Sequence, residues 1–344
     1  MLVSAVVLLG ACAVEEPSAA PVVPRPDAAI PLVGGGLVVV LPPADRLAPE
    51  ERDYVRRMVD RALAAVLPAD VSPAAVTVLE PADASVVVDT VERAVRRVGP
   101  GGTVCIVGSG VEERVASILA LYPATRACLL PSGPLGDTPH LTADVDLEAL
   151  GRGLGAAARA AAGSGTVLVL DADDPMLDRR WRAGIVAAVL DLGDELRPGN
   201  VTTVRTAADA LQVLADQAEL LAVGVMPGSA AAREAVLGGD MLAVVDDEEF
   251  PPGAVLPPVS VVVLDGSAEA GLLLAALEEY ELRIVGPRSM LAGDGTVADT
   301  VVLRWRVRWQ LPLGDLLRTA LSGEDVSSTD EDVFVVEFGP AAVR

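Results

Sequence analysis

The sequence predicts an α/β protein made of two doubly wound, parallel-sheet lobes. Three observations predict it. From Gly36 onward, short and near-continuous apolar runs alternate with amphipathic helical stretches, the pattern of parallel strands covered on both faces by helices. The series starts afresh near Asp146, which calls for two sheets rather than one. Hydrophobic residues make up 51% of the 344-residue chain and aromatics only 3%, so the core must be built from Ala, Val and Leu in close-packed layers.

The elements follow in order. Leu37–Leu41 is a strand stopped by Pro42-Pro43, and Pro49–Leu67 is a helix with Pro in its first turn and acids at its start, both N-terminal signals. Ala75–Leu79 is a strand and Ser85–Val98 a helix ending at Gly99-Pro100. Thr103–Val107, the helix Val111–Leu121, Arg126–Leu130 and a weaker strand at Leu141–Val145 complete the first series. After the helix Leu147–Ala162, the second series reads strand Thr166–Leu170, helix Met176–Leu192, strand Val201–Arg205 and helix Ala207–Gln217. Strand Leu220–Val225, helix Ala230–Leu237 and strand Met241–Val245 follow. Beyond Phe250 the pattern weakens to a strand at Val259–Leu264, a helix at Ala268–Tyr280, a helix at Leu313–Leu321 and a last strand at Val333–Phe338. Between them, Val301–Trp309 alternates apolar residues with Val302, Arg304, Arg306 and Arg308, which predicts a half-exposed strand. Its arginines can pair with the protein's own acids or meet an acidic partner.

Charge and composition exclude whole classes of chemistry. The net charge of -23 repels phosphate backbones, so no nucleic-acid partner is expected. All 26 basic residues are arginines. Without lysine there is no P-loop cation and no Schiff-base nucleophile. The run Asp171-Ala172-Asp173 after an apolar strand looks like a phosphatase motif, but that mechanism also wants a lysine. The single histidine, His140, rules out His-cluster metal sites. The expectation is therefore a protein that is not an enzyme and needs no cofactor or metal.

The N-terminus carries its own signal. Leu2–Ala11 is an apolar run too short to span a bilayer and about right for a signal-peptide core. It ends in Leu9-Gly10-Ala11-Cys12, which resembles a bacterial lipobox, although no basic residue precedes the run. The expected division is a signal peptide at 1–11, a Pro/Ala-rich tether at 12–35, an N-terminal lobe at 36–145, a C-terminal lobe at 146–256, and a return segment at 257–344 of open lobe assignment. Cys12 would carry the lipid, anchoring the protein to the extracytoplasmic face of the cell membrane. Cys105 and Cys128 fall in two buried strands. They are either free thiols or, if the strands are neighbours, a disulfide.

Four stretches carry a family resemblance. Val104–Leu130 is a strand, a glycine loop and a helix, with Tyr122-Pro123 before the next strand. Leu141–Ala161 runs from a strand into a Gly/Ala-rich helix. Thr166–Ala188 contains Asp174-Pro175 and Trp181-Arg182-Ala183-Gly184, and Leu221–Asp246 is a strand, a glycine loop, a helix and a strand closed by Asp. Their order resembles the type I periplasmic binding proteins, and within them the basic membrane protein (BMP) family of solute-binding lipoproteins. The resemblance covers roughly residues 36–256, with a weaker match at 313–338. It implies a receptor whose lobes hinge about a cleft, close on a small molecule such as a nucleoside or sugar, and present it to an ABC permease. A non-transport lipoprotein of the same fold, with a degenerate pocket and a sensor or envelope partner, is the alternative.

The resemblance also implies where a ligand would lie, in the crevice beyond the carboxyl ends of the strands. Asp45 follows the first strand, where the family places polar contacts but usually has an asparagine and an aromatic; it is a ligand contact or a solvated loop acid. Ser109, between Gly108 and Gly110, is a hydrogen-bond donor to ligand or a plain turn residue. Asp174 is a ligand contact or a helix cap. Trp181 stands where the family carries Phe and is a stacking platform or a packed core residue. Ser229 lies in the second glycine loop, and Asp246 matches an acid that binds ribose hydroxyls in the family. Gly151, Gly153 and Gly155 fit close helix packing better than phosphate binding.

Overall fold

The computed structural model describes residues 36–68, 75–131, 140–143, 145–191, 199–222, 257–291, 300–322 and 333–338. The lipobox Cys12, the tether, Ser229 and Asp246 lie outside these residues, as do the predicted helix at Ala230–Leu237 and strand at Met241–Val245.

The first sheet contains β1 (Leu37–Val40), β2 (Val76–Leu79), β3 (Thr103–Val107), β4 (Arg126–Leu130) and β5 (Leu141–Thr142) in the order β2-β1-β3-β4-β5, with every pairing parallel. Alternate residues of each strand point to opposite faces. Val38, Val40, Val104, Ile106 and Leu129 meet α2 (Val87–Val98) and α3 (Glu112–Ala120). Leu37, Val39, Cys105, Val107 and Leu130 meet α1 (Pro49–Val66) on the other side.

The second sheet orders β6 (Thr166–Leu170), β7 (Asn200–Val204), β8 (Val259–Val263), β9 (Arg283–Pro287), β10 (Val301–Val307) and β11 (Phe334–Phe338) as β11-β10-β9-β8-β6-β7. Only the β10–β11 pairing is antiparallel. One face is covered by α6 (Ala207–Ala222) and α7 (Ala268–Ala276), the other by α4 (Leu147–Ala162) and α5 (Arg179–Leu190). The molecule is therefore α/β with two mostly parallel, doubly wound sheets.

The return segment divides between the layers. β8, α7, β9, β10 and β11 complete the second sheet, while α8 (Gln310–Ser322) crosses back to pack on α1 and β4. Arg126 at the start of β4 donates through Nη1 to the carbonyls of Ala320 and Leu321, each at 3.1 Å. A cation placed there answers the unsatisfied carbonyls and negative end of α8.

Two features modify the expectation of freely separable lobes. The inner layers of the two sheets merge, so that α1, α4, α5 and α8 share one apolar cluster with β1, β3, β6 and β8. The seam is therefore packed rather than open. In the second layer, α4 and α5 cross with backbone in contact. A Cβ on Gly155 would lie 2.5 Å from the carbonyl oxygen of Ile185, and Gly151 meets the Trp181 carbonyl in the same way. Gly184 of α5 faces α4 reciprocally, whereas Gly153 faces nothing within 4 Å.

Several local expectations need correction. α5 begins at Arg179 rather than Met176, because the Asp178 carboxylate accepts the N–H of Arg180 at 2.8 Å and caps the helix there. α6 runs on to Ala222, across the predicted start of a strand at Leu220; Glu219-Leu220-Leu221-Ala222 are all good helix formers. β9 was not expected, since Arg283-Ile284-Val285-Gly286-Pro287 holds only two strongly apolar side chains. In β10 the expected half-exposed alternation holds, with Val301, Leu303, Trp305 and Val307 buried and Arg304 and Arg306 half-buried, although Val302 is buried too. Glu337 of β11 pairs with Arg304 of β10 at 3.9 Å and with Arg288, just after β9, at 2.5 Å.

Candidate functional site

The loops at the carboxyl ends of the strands meet at the seam. Leu47, in the loop after β1, forms an antiparallel bridge with Ser267, in the loop after β8. The Ala48 N–H donates to the Gly266 carbonyl and the Ala268 N–H to the Arg46 carbonyl, both at 3.2 Å. The glycine loop after β3 lies against the loop after β6: a Cβ on Gly108 would sit 2.7 Å from both Met176 Sδ and the Pro175 carbonyl. Gly108 (φ 50°) and Gly110 (φ 69°) are left-handed, which only glycine adopts cheaply.

Three buried carboxyls occupy this junction. Glu51 comes from the first turn of α1, Asp174 from the loop after β6, and Asp265 from the loop after β8. Asp174 accepts the Gly266 N–H at 2.8 Å through Oδ2 and the Met176 N–H at 2.7 Å through Oδ1. Asp265 accepts the Ala172 N–H at 2.8 Å and both the N–H and hydroxyl of Ser267, at 3.1 and 2.5 Å. Glu51 accepts the hydroxyl of Ser289, which follows β9. Gly266 separates the acids: a Cβ there would lie 2.7 Å from Asp174 Oδ2 and 2.9 Å from Glu51 Cγ.

Burial decides the protonation of all three. It pushes Glu51 up to about 7, against the lowering hydrogen bond from Ser289, with Asp265 adding repulsion. Burial likewise pushes Asp174 to about 7, helped by the Glu51 charge, and Asp265 to about 7, helped by Asp174. The positive end of α1 near Glu51 favours the anion by well under what burial costs. No ion pair among the described residues involves these acids. The neighbouring Asp171 is different. Burial raises it too, but Arg182 stands 2.6 Å away and opposes the shift. Asp173, between Asp171 and Asp174, is the one non-glycine among the described residues with positive φ (56°), a conformation Asp tolerates better than most residues.

The residues expected to touch ligand are distributed unevenly around this junction. Asp174 is in it. Ser109 borders it but is buried, its hydroxyl accepting the Val111 N–H at 3.2 Å as a turn residue would. Asp45 is exposed on the loop after β1. Trp181 is fully enclosed between α4 and β10, against Trp305, and offers no accessible face. Cys105 and Cys128 are in register on neighbouring strands, buried, and both free thiols. Among the described residues no group of His, Cys, Asp and Glu is arranged to hold a metal, and no helix is long and apolar enough to cross a membrane. Two shallow cavities lie away from the junction, one of about 430 Å³ beside Glu80, Arg93 and Arg97, the other of about 500 Å³ beside Gln212 and Tyr280.

Glu51 and Asp265 are the functional candidates that sequence reasoning missed. Asp265 carried a usable signal, since in the sequence it follows an apolar run just as Asp171 and Asp246 do. Glu51 carried none: an acid in a helix first turn reads as a solvated partner of the helix dipole.

No family model matches the chain, and no curated protein does. Solved structures do. An ABC sugar transporter subunit from Rhodobacter sphaeroides superposes with a TM-score of 0.56 at 10% identity, covering 89% of this chain and 99% of that one. A carbohydrate transporter solute-binding protein from Agrobacterium radiobacter, in complex with D-arabinose, gives 0.55 at 13% identity over 90% and 95% of the two chains. A transcriptional activator of the comK gene from Bacillus halodurans gives 0.54 at 13% identity over 89% and 91%. At such identities the likeness is one of fold, and the chain has the two-lobed fold of the type I periplasmic binding proteins.

Proposed function

We propose that the protein is an extracytoplasmic receptor for a small polyhydroxylated, sugar-like solute, anchored by lipid on Cys12 and serving an ABC permease. One observation carries the reading: loops from the carboxyl ends of strands in both sheets converge on a single junction that holds buried hydrogen-bonding carboxyls. That is where open α/β sheets take ligands, and carboxyl groups form hydrogen bonds with sugar hydroxyls. The solute-binding and sugar-transporter neighbours support the same reading. A nucleoside is less well served, because stacking a base needs an aromatic wall and Trp181 is committed to the core. Kinship with the BMP family, residues 12–35 as a tether, and contacts from Asp45, Ser109, Asp174, Ser229 and Asp246 belong to this proposal.

A second reading, a non-transport lipoprotein of the same fold with a degenerate pocket, is favoured by the direct backbone contacts that fill the junction. Isothermal titration of the full chain against pentoses, hexoses, polyols and nucleosides separates the two. Heat with a pentose, hexose or polyol supports the receptor, and silence across the panel supports the second reading. Incorporation of labelled palmitate that is lost in Cys12→Ala tests the anchor.

A further inference from the structure

The three carboxyls at the junction are contributed by different parts of the chain, and this matters more than their number. Glu51 belongs to the first layer, while Asp174 and Asp265 belong to the second. The Glu51 side chain reaches across the seam to Ser289, more than two hundred residues away in sequence, and packs against Gly266, whose N–H donates to Asp174. The contacts flanking the acids are backbone hydrogen bonds of 3.2 Å and glycine-loop packing between loops, and opening must also part the apolar cluster that the two layers share. Parting the layers here would return Glu51 to water on one side and Asp174 and Asp265 on the other.

We propose that Glu51, Asp174 and Asp265 form a proton-operated latch between the lobes: protonated, they let the seam close; ionised, they drive it open. The proposal concerns the empty protein and stands whether or not the solute-receptor reading does.

Every titratable or charged neighbour fits this sense of operation. Around Glu51 stand Asp265, the Ser289 hydroxyl and, a turn along α1, Tyr54, whose own proton is held tightly. Around Asp174 stand Glu51, Asp171 and two backbone N–H donors. Around Asp265 stand Asp174, Ser267 and the Ala172 N–H. The nearby arginines act on the neighbours of the three acids and not on the acids themselves: Arg182 pairs with Asp171, where Arg205 also acts, and Arg306, Arg61 and Arg308 act on Tyr54. Three mutually close acids with no paired cation cannot all ionise in a dry junction. They must lose protons together with burial.

The sign follows. In the closed form the three acids hold their protons up to about pH 7, whereas in water they release them near pH 4. Closure therefore takes up protons between those limits, is favoured as pH falls and is lost as pH rises through 7. The groups are coupled, so the transition belongs to the cluster rather than to any one acid.

Small-angle scattering of the full chain without solute tests this between pH 5.5 and 8.5. The radius of gyration is expected to rise across that interval with far-UV circular dichroism unchanged. The double variant Glu51→Gln, Asp265→Asn is expected to stay compact at pH 8.5. An unchanged radius in the wild type overturns the proposal. So does equal expansion of the variant, which would point to general repulsion in a chain of net charge -23. Should the double variant not fold, Glu51→Gln alone serves the same comparison. Proton uptake on acidification in weak buffer gives an independent reading: a wild type that binds no more protons near pH 6–7 than its exposed carboxyls account for also overturns it.

Discussion

The indole rings of Trp181 and Trp305 lie 6.2 Å apart and tilted by 47°, joining α5 to β10 inside the second layer. Neither indole N–H has a hydrogen-bond partner among the described residues. This pair is a packing device, since its polar handles are unused and its faces are covered. Trp181→Ala should cost about 3–5 kcal/mol, the usual penalty for emptying a large buried aromatic site. Trp181→Phe should cost much less, because it also removes an orphaned donor. Urea denaturation of the two variants checks this; an Ala variant as stable as the wild type would show that Trp181 is not core.

At the α4–α5 crossing two glycines only two residues apart, Gly153 and Gly155, respond oppositely to an added methyl. Gly155→Ala sets a methyl 2.5 Å from the Ile185 carbonyl and 2.9 Å from the Ala188 methyl, so the helices must separate. The expected loss is about 1–3 kcal/mol, as for other overpacked sites. Gly153→Ala meets nothing within 4 Å and should stabilise by about 0.5–1 kcal/mol, because alanine loses less backbone freedom in a helix. Thermal melts that move the two variants in opposite directions check the crossing. A shared direction would contradict it.

Much of the fold was legible because its strands are monotonously apolar. Leu37–Leu41, Thr103–Val107 and Thr166–Leu170 announce buried parallel strands by composition alone, and the observed strands fall within one residue of these runs. The parts that were not legible share a physical cause. β9 is short and weakly apolar, and it exists because β8 and β10 pair on either side of it. The half-exposed alternation of β10 was legible, whereas nothing in it named β11 as the antiparallel partner whose Glu337 stands 3.9 Å from Arg304. The site was half legible. Asp174 and Asp265 stand at strand ends, where open sheets expose their chemistry. Glu51 was hidden because only the meeting of two layers turns a helix-start acid into a buried one.

Tyr54 offers a test at the alkaline end. Its hydroxyl donates to the Val307 carbonyl at 2.5 Å, tying α1 to the end of β10. Burial, with the Glu51 charge behind it, pushes its ionisation up to about 12. The native state thus keeps a proton that the unfolded chain loses near pH 10. The resulting stability is intact below pH 10 and declines as pH rises toward 12. One of the three tyrosines should therefore ionise late or only with unfolding, seen as a delayed step in tyrosinate absorbance. Tyr54→Phe should abolish that step and cost about 1 kcal/mol for the lost hydrogen bond. A variant with an unaltered titration would place the tightly held proton elsewhere.

Cys105 and Cys128 face one another in register on β3 and β4, with no exposed surface between them. Their proximity invites a disulfide, but their chemistry resists one. The hydrogen bond between the thiols and their burial push Cys105 well above the ordinary thiol range, and thiol exchange proceeds through the thiolate. In Cys12→Ala protein, the two remaining thiols should be inert to an aromatic disulfide reagent while the fold holds. They should react promptly in denaturant without any reductant. The rate should track global unfolding, because both side chains sit in the layer between the first sheet and α1 and no local opening of the seam reaches them. Absence of titratable thiol in denaturant would show that the pair is oxidised in the isolated protein. Rapid reaction in the native state would show instead that α1 lifts from the sheet, and that the first layer is far less rigid than its packing indicates.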